Sequence, residues 1–254
     1  MLLSRTRKKM AYSLKSFIFD AAKFQKMLDL RDRHLLEDSM GFRGQYDEHR
    51  RFQIAFLKER GLLPSHRLLE IGCGPLTAGI PIIDYLEPGN YVGVDVRSSV
   101  LDLSWKEVGK AGLSGKNPRL ICSPSFAAKE LAGQKFDFVL SFSVLYHLSN
   151  EILAAYFSAV HQRLMPAGYC LATVNTEAQE STWLEFPYLK RSLEDYQRLA
   201  AASGLETASL GEIKDLGFRL AGIEKHNLML SFRGANVATV VAGSPETVAT
   251  KRSL

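Results

Sequence analysis

Apolar residues along the chain form short uninterrupted runs, separated by stretches with helical spacing. The short runs predict five strands, at residues 67–71, 91–95, 119–122, 136–142 and 169–174. Apolar positions three and four residues apart predict helices at residues 47–60, 76–86, 98–110 and 150–164. Strands that alternate with helices of this length form a parallel sheet with helices on both faces.

The pattern changes beyond Pro187. A predicted helix at 192–203 is followed by two predicted strands, at 206–213 and 226–233, with no helix between them. Consecutive strands that lack a crossover helix pair in antiparallel fashion. We therefore expect an α/β fold, with a doubly wound, mostly parallel seven-stranded sheet whose last strand is antiparallel.

Composition and charge narrow the class of protein. The chain is 46% hydrophobic and 23% charged, which excludes a disordered chain, and no apolar run is long enough to span a membrane. Residues 1–33 hold nine Lys or Arg and three acidic residues, so the net charge of +5 comes from this segment. The rest of the chain is nearly neutral, whereas a nucleic-acid-binding protein carries basic residues across its binding face. Nucleic acid is therefore not expected as a partner.

The N-terminal segment and the cysteines complete the organisation. We expect three parts: a basic helical extension and lid at 1–60, a core at 61–234 and a loose tail at 235–254. We interpret the extension as solvated; a weak contact with an anionic membrane surface and an oligomer interface stay open. The cysteines adjoin apolar runs, which is typical of reduced, mostly buried thiols in a cytoplasmic protein, and they lack metal-ligand spacing: Cys73, Cys122 and Cys170.

Candidate chemistry begins where the first strand ends. Gly72 and Gly74 follow that strand, and such a turn lets a ligand approach the backbone closely. Glu70 stands where a buried strand would continue with an apolar residue, and a buried carboxylate is unfavourable unless it faces a ligand or a cation. Asp95 ends the next strand, where an acid can accept hydrogen bonds from ribose hydroxyls.

These features fit an adenosine ligand that carries a positive charge. A dinucleotide site would have a third glycine at position 77, but this chain has Thr77. Glu70 would also repel a pyrophosphate. S-adenosylmethionine fits better, because it carries a sulfonium and an ammonium group.

Four segments in order resemble the motifs of class I S-adenosylmethionine-dependent methyltransferases. They are Glu70-Ile-Gly-Cys-Gly-Pro75, Val94-Asp95-Val96, the stretch 136–148 and the stretch 163–169. The resemblance covers roughly residues 60–233 and implies the sheet described above. It also implies transfer of a methyl group from S-adenosylmethionine, with S-adenosylhomocysteine as product.

The resemblance assigns roles to individual residues. Contacts to the methionine part are implied for Glu70, for the backbone of Gly72, Cys73 and Gly74, and for the carbonyls of Ser141 and Phe142. Asp95 would hold the ribose hydroxyls and Val96 would pack on the adenine. The usual acid after the third strand is missing in 121–126, and Ser123 or Ser125 is the candidate substitute. Tyr46, on the lid helix, would cover the cofactor.

His147 is the candidate catalytic residue, because imidazole titrates near neutral pH, although packing at a helix start is an alternative role. His49 and Arg50 lie on the lid segment. Two interpretations stay open: they contribute to the site, or they belong to a solvated helix start. The aromatic group Trp183, Phe186 and Tyr188 would overhang the acceptor or fill a small core, and Arg191 is expected to be solvated.

The expected function is methyl transfer to a small-molecule acceptor, with oxygen favoured over nitrogen. Two alternatives stay open: an NAD-dependent oxidoreductase on a related fold, and a catalytically inactive methyltransferase-like binding protein.

Overall fold

The computed structural model describes residues 46–126, 128–177, 179–183, 186–219 and 226–235. Nine strands are described: β1 Leu68–Ile71, β2 Tyr91–Asp95, β3 Arg119–Cys122, β4 Phe136–Ser141, β5 Leu164–Val174, β6 Ser181–Trp183, β7 Phe186–Tyr188, β8 Leu205–Glu212 and β9 Leu228–Gly234. The α-helices of the described residues are α1 Tyr46–Glu59, α2 Gly79–Tyr85, α3 Ser98–Lys110, α4 Asn150–Arg163 and α5 Leu193–Ala202. The expected basic extension up to residue 45, and the expected tail after residue 235, lie outside the described residues, so the proposed three-part division stays a prediction.

Seven strands form one sheet in the order β3-β2-β1-β4-β5-β9-β8. Strands β1 to β5 pair in parallel, and β9 runs antiparallel to both β5 and β8. This confirms the mostly parallel seven-stranded sheet and its antiparallel last strand. The chain leaves β1 in one direction toward β3 and continues on the other side at β4. Ligands of doubly wound sheets bind at such a reversal, beyond the carboxyl ends of the strands.

Two apolar layers cover the sheet. Alternate residues of β4 point to opposite layers. Val139 packs into the layer that contains α4, and Phe138 and Leu140 pack into the layer that contains α1. Helix α1 contributes Phe52 and Phe56 to the second layer. It is therefore packed into the core, and the amphipathic pattern that predicted it reflects this buried face.

Two elements differ from their predicted bounds by three residues or more. Helix α2 starts later than predicted, because Leu76 adopts a positive φ of 62° and residues 74–78 form turns. Strand β5 starts earlier, directly after α4, and Gly168 allows its backbone to lie close to β4. A Cβ atom at Gly168 would lie 2.8 Å from the Asp137 carbonyl oxygen. The short hairpin of β6 and β7 has no counterpart among the predicted elements.

Arg191 anchors the segment after this hairpin, and the expectation that it is solvated was wrong. The residue is 6% exposed. Its Nε donates to Asn150 Oδ1 at 2.8 Å, and its Nη atoms donate to the carbonyls of Leu145 and Leu148. The guanidinium thus connects the segment after β7 to the turn between β4 and α4.

Replacing Arg191 should therefore destabilise the fold. We expect Arg191→Met to lower the free energy of unfolding by about 2 kcal/mol, because it removes hydrogen bonds from a charged donor to buried carbonyls. Equilibrium urea unfolding measures the change, and Lys190→Met, at the exposed neighbouring position, is the matched control. Equal stability of the two variants would contradict the anchoring role.

Candidate functional site

The glycine turn after β1 is tied to the end of β2. Gly72 and Gly74 have φ angles of 75° and 50°, in the region that favours glycine. The N–H groups of Gly72 and Cys73 both donate to the Val94 carbonyl, at 2.8 and 3.1 Å. A Cβ atom at Gly72 would lie 2.5 Å from the Val144 side chain. The turn therefore requires glycine for its backbone angles and for its close packing.

The Asp95 carboxylate is the centre of this arrangement. Its Oδ2 accepts from the Gly74 N–H at 3.0 Å and from Arg97 Nη2 at 3.2 Å. Its Oδ1 accepts from Arg97 Nε and from the Arg97 backbone N–H, both at 3.0 Å. Sequence reasoning did not select Arg97. The sequence signal that could have indicated it is a basic residue two positions after Asp95, the acid at the end of β2.

Glu70 lies behind the turn and is 4% exposed. The Tyr91 hydroxyl donates to Glu70 Oε2 at 2.5 Å. Burial raises the pKa of the Glu70 carboxyl to about 8, against the opposing effect of this hydrogen bond, and the Asp95 charge raises it further. At neutral pH the carboxyl therefore keeps its proton until a cation stabilises the ionised form.

His147 lies on the 3₁₀ turn Leu145–His147 that follows β4. Its Nδ1 is 2.9 Å from the Pro187 carbonyl oxygen, and because a carbonyl can only accept, Nδ1 carries the proton. Burial lowers the pKa of His147 to about 4; the bond to Pro187 opposes this shift and the Arg97 charge adds to it. The imidazole is therefore neutral at pH 7, with Nε2 unprotonated.

The β6–β7 hairpin rests on this turn through aromatic rings. Tyr188 stacks on Tyr146 with ring centroids 5.2 Å apart and also meets His147 edge to face at 4.7 Å. Phe186 lies 5.8 Å from the His147 ring. The structure thus brings Phe186 and Tyr188 next to His147; the side chain of Trp183 lies outside the described part of the chain.

On the other side of the turn, α1 is anchored by aromatic residues. His49, which is 1% exposed, packs its ring against Phe142 and Phe218 at centroid distances of 5.6 and 4.8 Å. Its position is therefore a core position. Tyr46 is also buried, and its hydroxyl accepts from Arg50 Nη2 at 3.1 Å. Arg50 in turn donates to the Thr77 carbonyl at 3.2 Å, so α1 contacts the chain directly after the glycine turn.

The remaining candidates lie at the carboxyl ends of β3 and β4. Ser141 is buried, and its Oγ accepts from the Tyr156 hydroxyl at 2.8 Å. Ser125 is exposed, and its N–H donates to Ser123 Oγ at 3.1 Å. Cys122 Sγ lies 3.7 Å from the carbonyl of Val96. Cys122 is exposed, which corrects its expected burial, whereas Cys73 and Cys170 are buried as expected.

Two wider properties concern only the described part of the chain. None of its helices is long and apolar enough to cross a membrane. No group of three or more His, Cys, Asp and Glu side chains in it is arranged to hold a metal ion.

Comparison with known proteins finds a domain match and similar folds. Residues 69–170 match the family model of a methyltransferase domain. Magnesium protoporphyrin IX methyltransferase from Synechocystis PCC 6803, solved with S-adenosylmethionine, has a TM-score of 0.57 at 16% identity, over 75% of this chain and 81% of that one. An S-adenosylmethionine-dependent methyltransferase from Clostridium acetobutylicum has the same score and identity, over 75% and 92%. The CcbJ methyltransferase from Streptomyces caelestis also has a TM-score of 0.57 at 16% identity, over 74% and 90%.

At these identities the structural likeness shows the fold. No curated protein sequence matches the chain significantly. Residues 69–170 thus match a methyltransferase domain, and the sheet has the fold of solved S-adenosylmethionine-dependent methyltransferases.

The burial of Glu70 predicts how stability depends on pH. In the unfolded chain this carboxyl titrates near 4.5, and in the folded chain near 8. Between these pH values the folded state holds a proton that the unfolded state has lost, so stability falls as pH rises through the window. We expect Glu70→Gln to remove a decline on the order of 3 kcal/mol. Urea unfolding from pH 5 to 8.5 measures it.

Glu87→Gln, at an exposed position, is the control for the chemical change and should follow the wild type. Parallel pH dependence of the Glu70→Gln variant and the wild type would show that the Glu70 carboxyl titrates normally.

Proposed function

We propose that this methyltransferase moves a methyl group from S-adenosylmethionine to a small-molecule acceptor, at the carboxyl ends of β1, β2 and β4. The observation that carries the proposal is the link between the glycine turn and the Asp95 carboxylate, which Gly74 makes directly. An acid at this place suits ribose hydroxyls, and the buried Glu70 suits a cationic ligand. The same Glu70 would repel the pyrophosphate of a dinucleotide.

The same proposal assigns cofactor-binding roles to individual residues. We propose that Asp95 binds the ribose hydroxyls and that Val96 and Ser125 flank the adenine. The methionine part is assigned to Glu70, to the backbone of Gly72, Cys73 and Gly74, and to the carbonyls of Ser141 and Phe142. Tyr46, at the start of α1, would close the turn from outside, since Arg50 joins it to the Thr77 carbonyl.

When bound, S-adenosylmethionine supplies a methyl group that its sulfonium already activates. The task left to the protein is to align the acceptor and to exclude water. We propose that Phe186 and Tyr188 contribute to both, because the hairpin that carries them rests on the turn after β4.

We propose an oxygen acceptor, with His147 as the residue that takes up its proton. The neutral imidazole has Nε2 unprotonated, so this nitrogen can accept a proton from an acceptor hydroxyl as the methyl group is transferred. A small acceptor also agrees with the nearly neutral chain beyond residue 33.

Cofactor binding tests the proposal directly. Calorimetric titration should show micromolar binding of S-adenosylmethionine and S-adenosylhomocysteine, and no comparable binding of NAD. Asp95→Asn should weaken S-adenosylhomocysteine binding by about 1.5–3 kcal/mol, because it removes hydrogen bonds to a charged acceptor. Asp102→Asn, at an exposed position on α3, is the matched control and should bind like the wild type.

Cys122 gives an independent measurement of where the ligand binds. Because its thiol is exposed beside Val96, S-adenosylhomocysteine should slow its alkylation by iodoacetamide. Binding of NAD instead would favour the oxidoreductase interpretation. Binding of S-adenosylhomocysteine without any methyl transfer to a broad acceptor panel would favour an inactive binding protein.

Two variants of His147 separate proton transfer from positioning. His147→Asn keeps a donor for the Pro187 carbonyl but removes the base, and His147→Phe removes both. If Nε2 takes the acceptor proton, both variants should lose about 10²–10⁴ in turnover with cofactor affinity unchanged. The measurement is transfer of radiolabelled methyl from S-adenosylmethionine to the hydroxyl and carboxyl compounds of the panel. Near-normal turnover of His147→Asn would leave His147 a positioning residue.

A further inference from the structure

The Asp95 carboxylate has no acceptor capacity left for a ligand in this structure. A carboxylate offers about four lone-pair positions for hydrogen bonds. All four are in use: the backbone N–H groups of Gly74 and Arg97 donate at 3.0 Å, and Arg97 Nε and Nη2 donate at 3.0 and 3.2 Å. A ribose with two hydroxyls therefore cannot bind Asp95 unless two of these bonds break.

The two bonds that can break are those of the guanidinium. The Gly74 N–H is fixed by the glycine turn, and the Arg97 N–H is fixed where α3 begins. The Arg97 side chain can rotate about its own bonds, so the guanidinium can leave Asp95 without a change in the backbone. Its two N–H donors match in number the two hydroxyls that a ribose offers, so the exchange leaves the carboxylate fully hydrogen-bonded.

We infer that Arg97 is an internal competitor for the ribose-binding carboxylate: the Arg97–Asp95 pair must open before a nucleoside ligand binds. The inference rests on the proposed function, since it takes Asp95 as the ribose-binding residue. It makes Arg97 a specificity-determining residue, because only a ligand whose hydroxyls replace both guanidinium bonds compensates for the lost pair.

The environment of the pair gives the competition its strength. The side chains of Arg97 and Asp95 are 15% and 4% exposed, so water screens their attraction weakly. The Arg97 guanidinium also lies 5.5 Å from the centre of the Phe186 ring. Release of Arg97 therefore takes place beside the β6–β7 hairpin, whose aromatic residues are proposed to align the acceptor.

The test is the affinity of S-adenosylhomocysteine for Arg97 variants of the full chain, measured by calorimetry at constant ionic strength. A closed form that outnumbers the open form tenfold weakens apparent affinity about tenfold. We expect Arg97→Met to bind about tenfold more tightly than the wild type. Arg97→Lys, which keeps the charge and loses the two-pronged contact, should lie between them. Lys106→Met removes a positive charge from an exposed position on α3 and should leave the affinity unchanged.

Thermal unfolding adds a readout that a purely structural role would not produce. The ligand-free Arg97→Met variant should melt at a lower temperature than the wild type, because the pair is lost. Its gain in melting temperature on adding S-adenosylhomocysteine should nevertheless be larger. Unchanged or weaker binding by both Arg97 variants would overturn the inference.

The two proposals fail in different ways. If the wild type binds S-adenosylhomocysteine, Asp95→Asn weakens it and Arg97→Met does not strengthen it, only the competition is overturned. If S-adenosylhomocysteine binds neither the wild type nor Arg97→Met, the proposed function is overturned, and this inference with it. Binding to Arg97→Met alone would support the competition strongly.

Discussion

The Asp95 carboxylate, at the end of β2, connects two other parts of the molecule. It accepts hydrogen bonds from the glycine turn after β1 and from the Arg97 side chain, directly before α3. A buried carboxylate is tolerated only when its hydrogen bonds are made, so each of these contacts constrains the others. The positive φ angle of Gly74 directs its N–H toward Asp95. This hydrogen bond fixes the glycine turn beside the point where the strand order of the sheet reverses. The shape of the turn therefore depends on how the protein forms the hydrogen bonds of one acid.

Burial sets the protonation of two other groups, Glu70 and His147. Desolvation raises the pKa of Glu70 to about 8 and lowers that of His147 to about 4, so both side chains are neutral at pH 7. The Asp95–Arg97 ion pair carries no net charge as a unit. A cationic ligand near Glu70 would favour the ionised carboxyl, and binding would then release a proton.

Sequence reasoning recovered what depends on local pattern. The strands and the mostly parallel sheet with its antiparallel last strand follow from the apolar runs and their spacing. The acids at the ends of β1 and β2 follow from the position of Glu70 and Asp95 within these runs. It missed what depends on tertiary contact. Arg191 looks like a surface residue because the groups it binds lie 41 to 46 positions away along the chain. The β6–β7 hairpin has strands of three residues with Pro187 inside, too short to show a period of two.

The candidate site combines a fixed side chain, His147, with one that would move, Arg97. His147 is held through Nδ1 by the Pro187 carbonyl, and the turn that carries it is held by Arg191, so its ring keeps one orientation. Arg97 lies across from it, beside Phe186, and under the competition inferred above it leaves Asp95 when the nucleoside arrives. The surface offered to an acceptor would then differ before and after cofactor binding, while the His147 ring would stay in place. Such an arrangement favours binding of the cofactor first, because the acceptor meets its final binding surface only after Arg97 has moved.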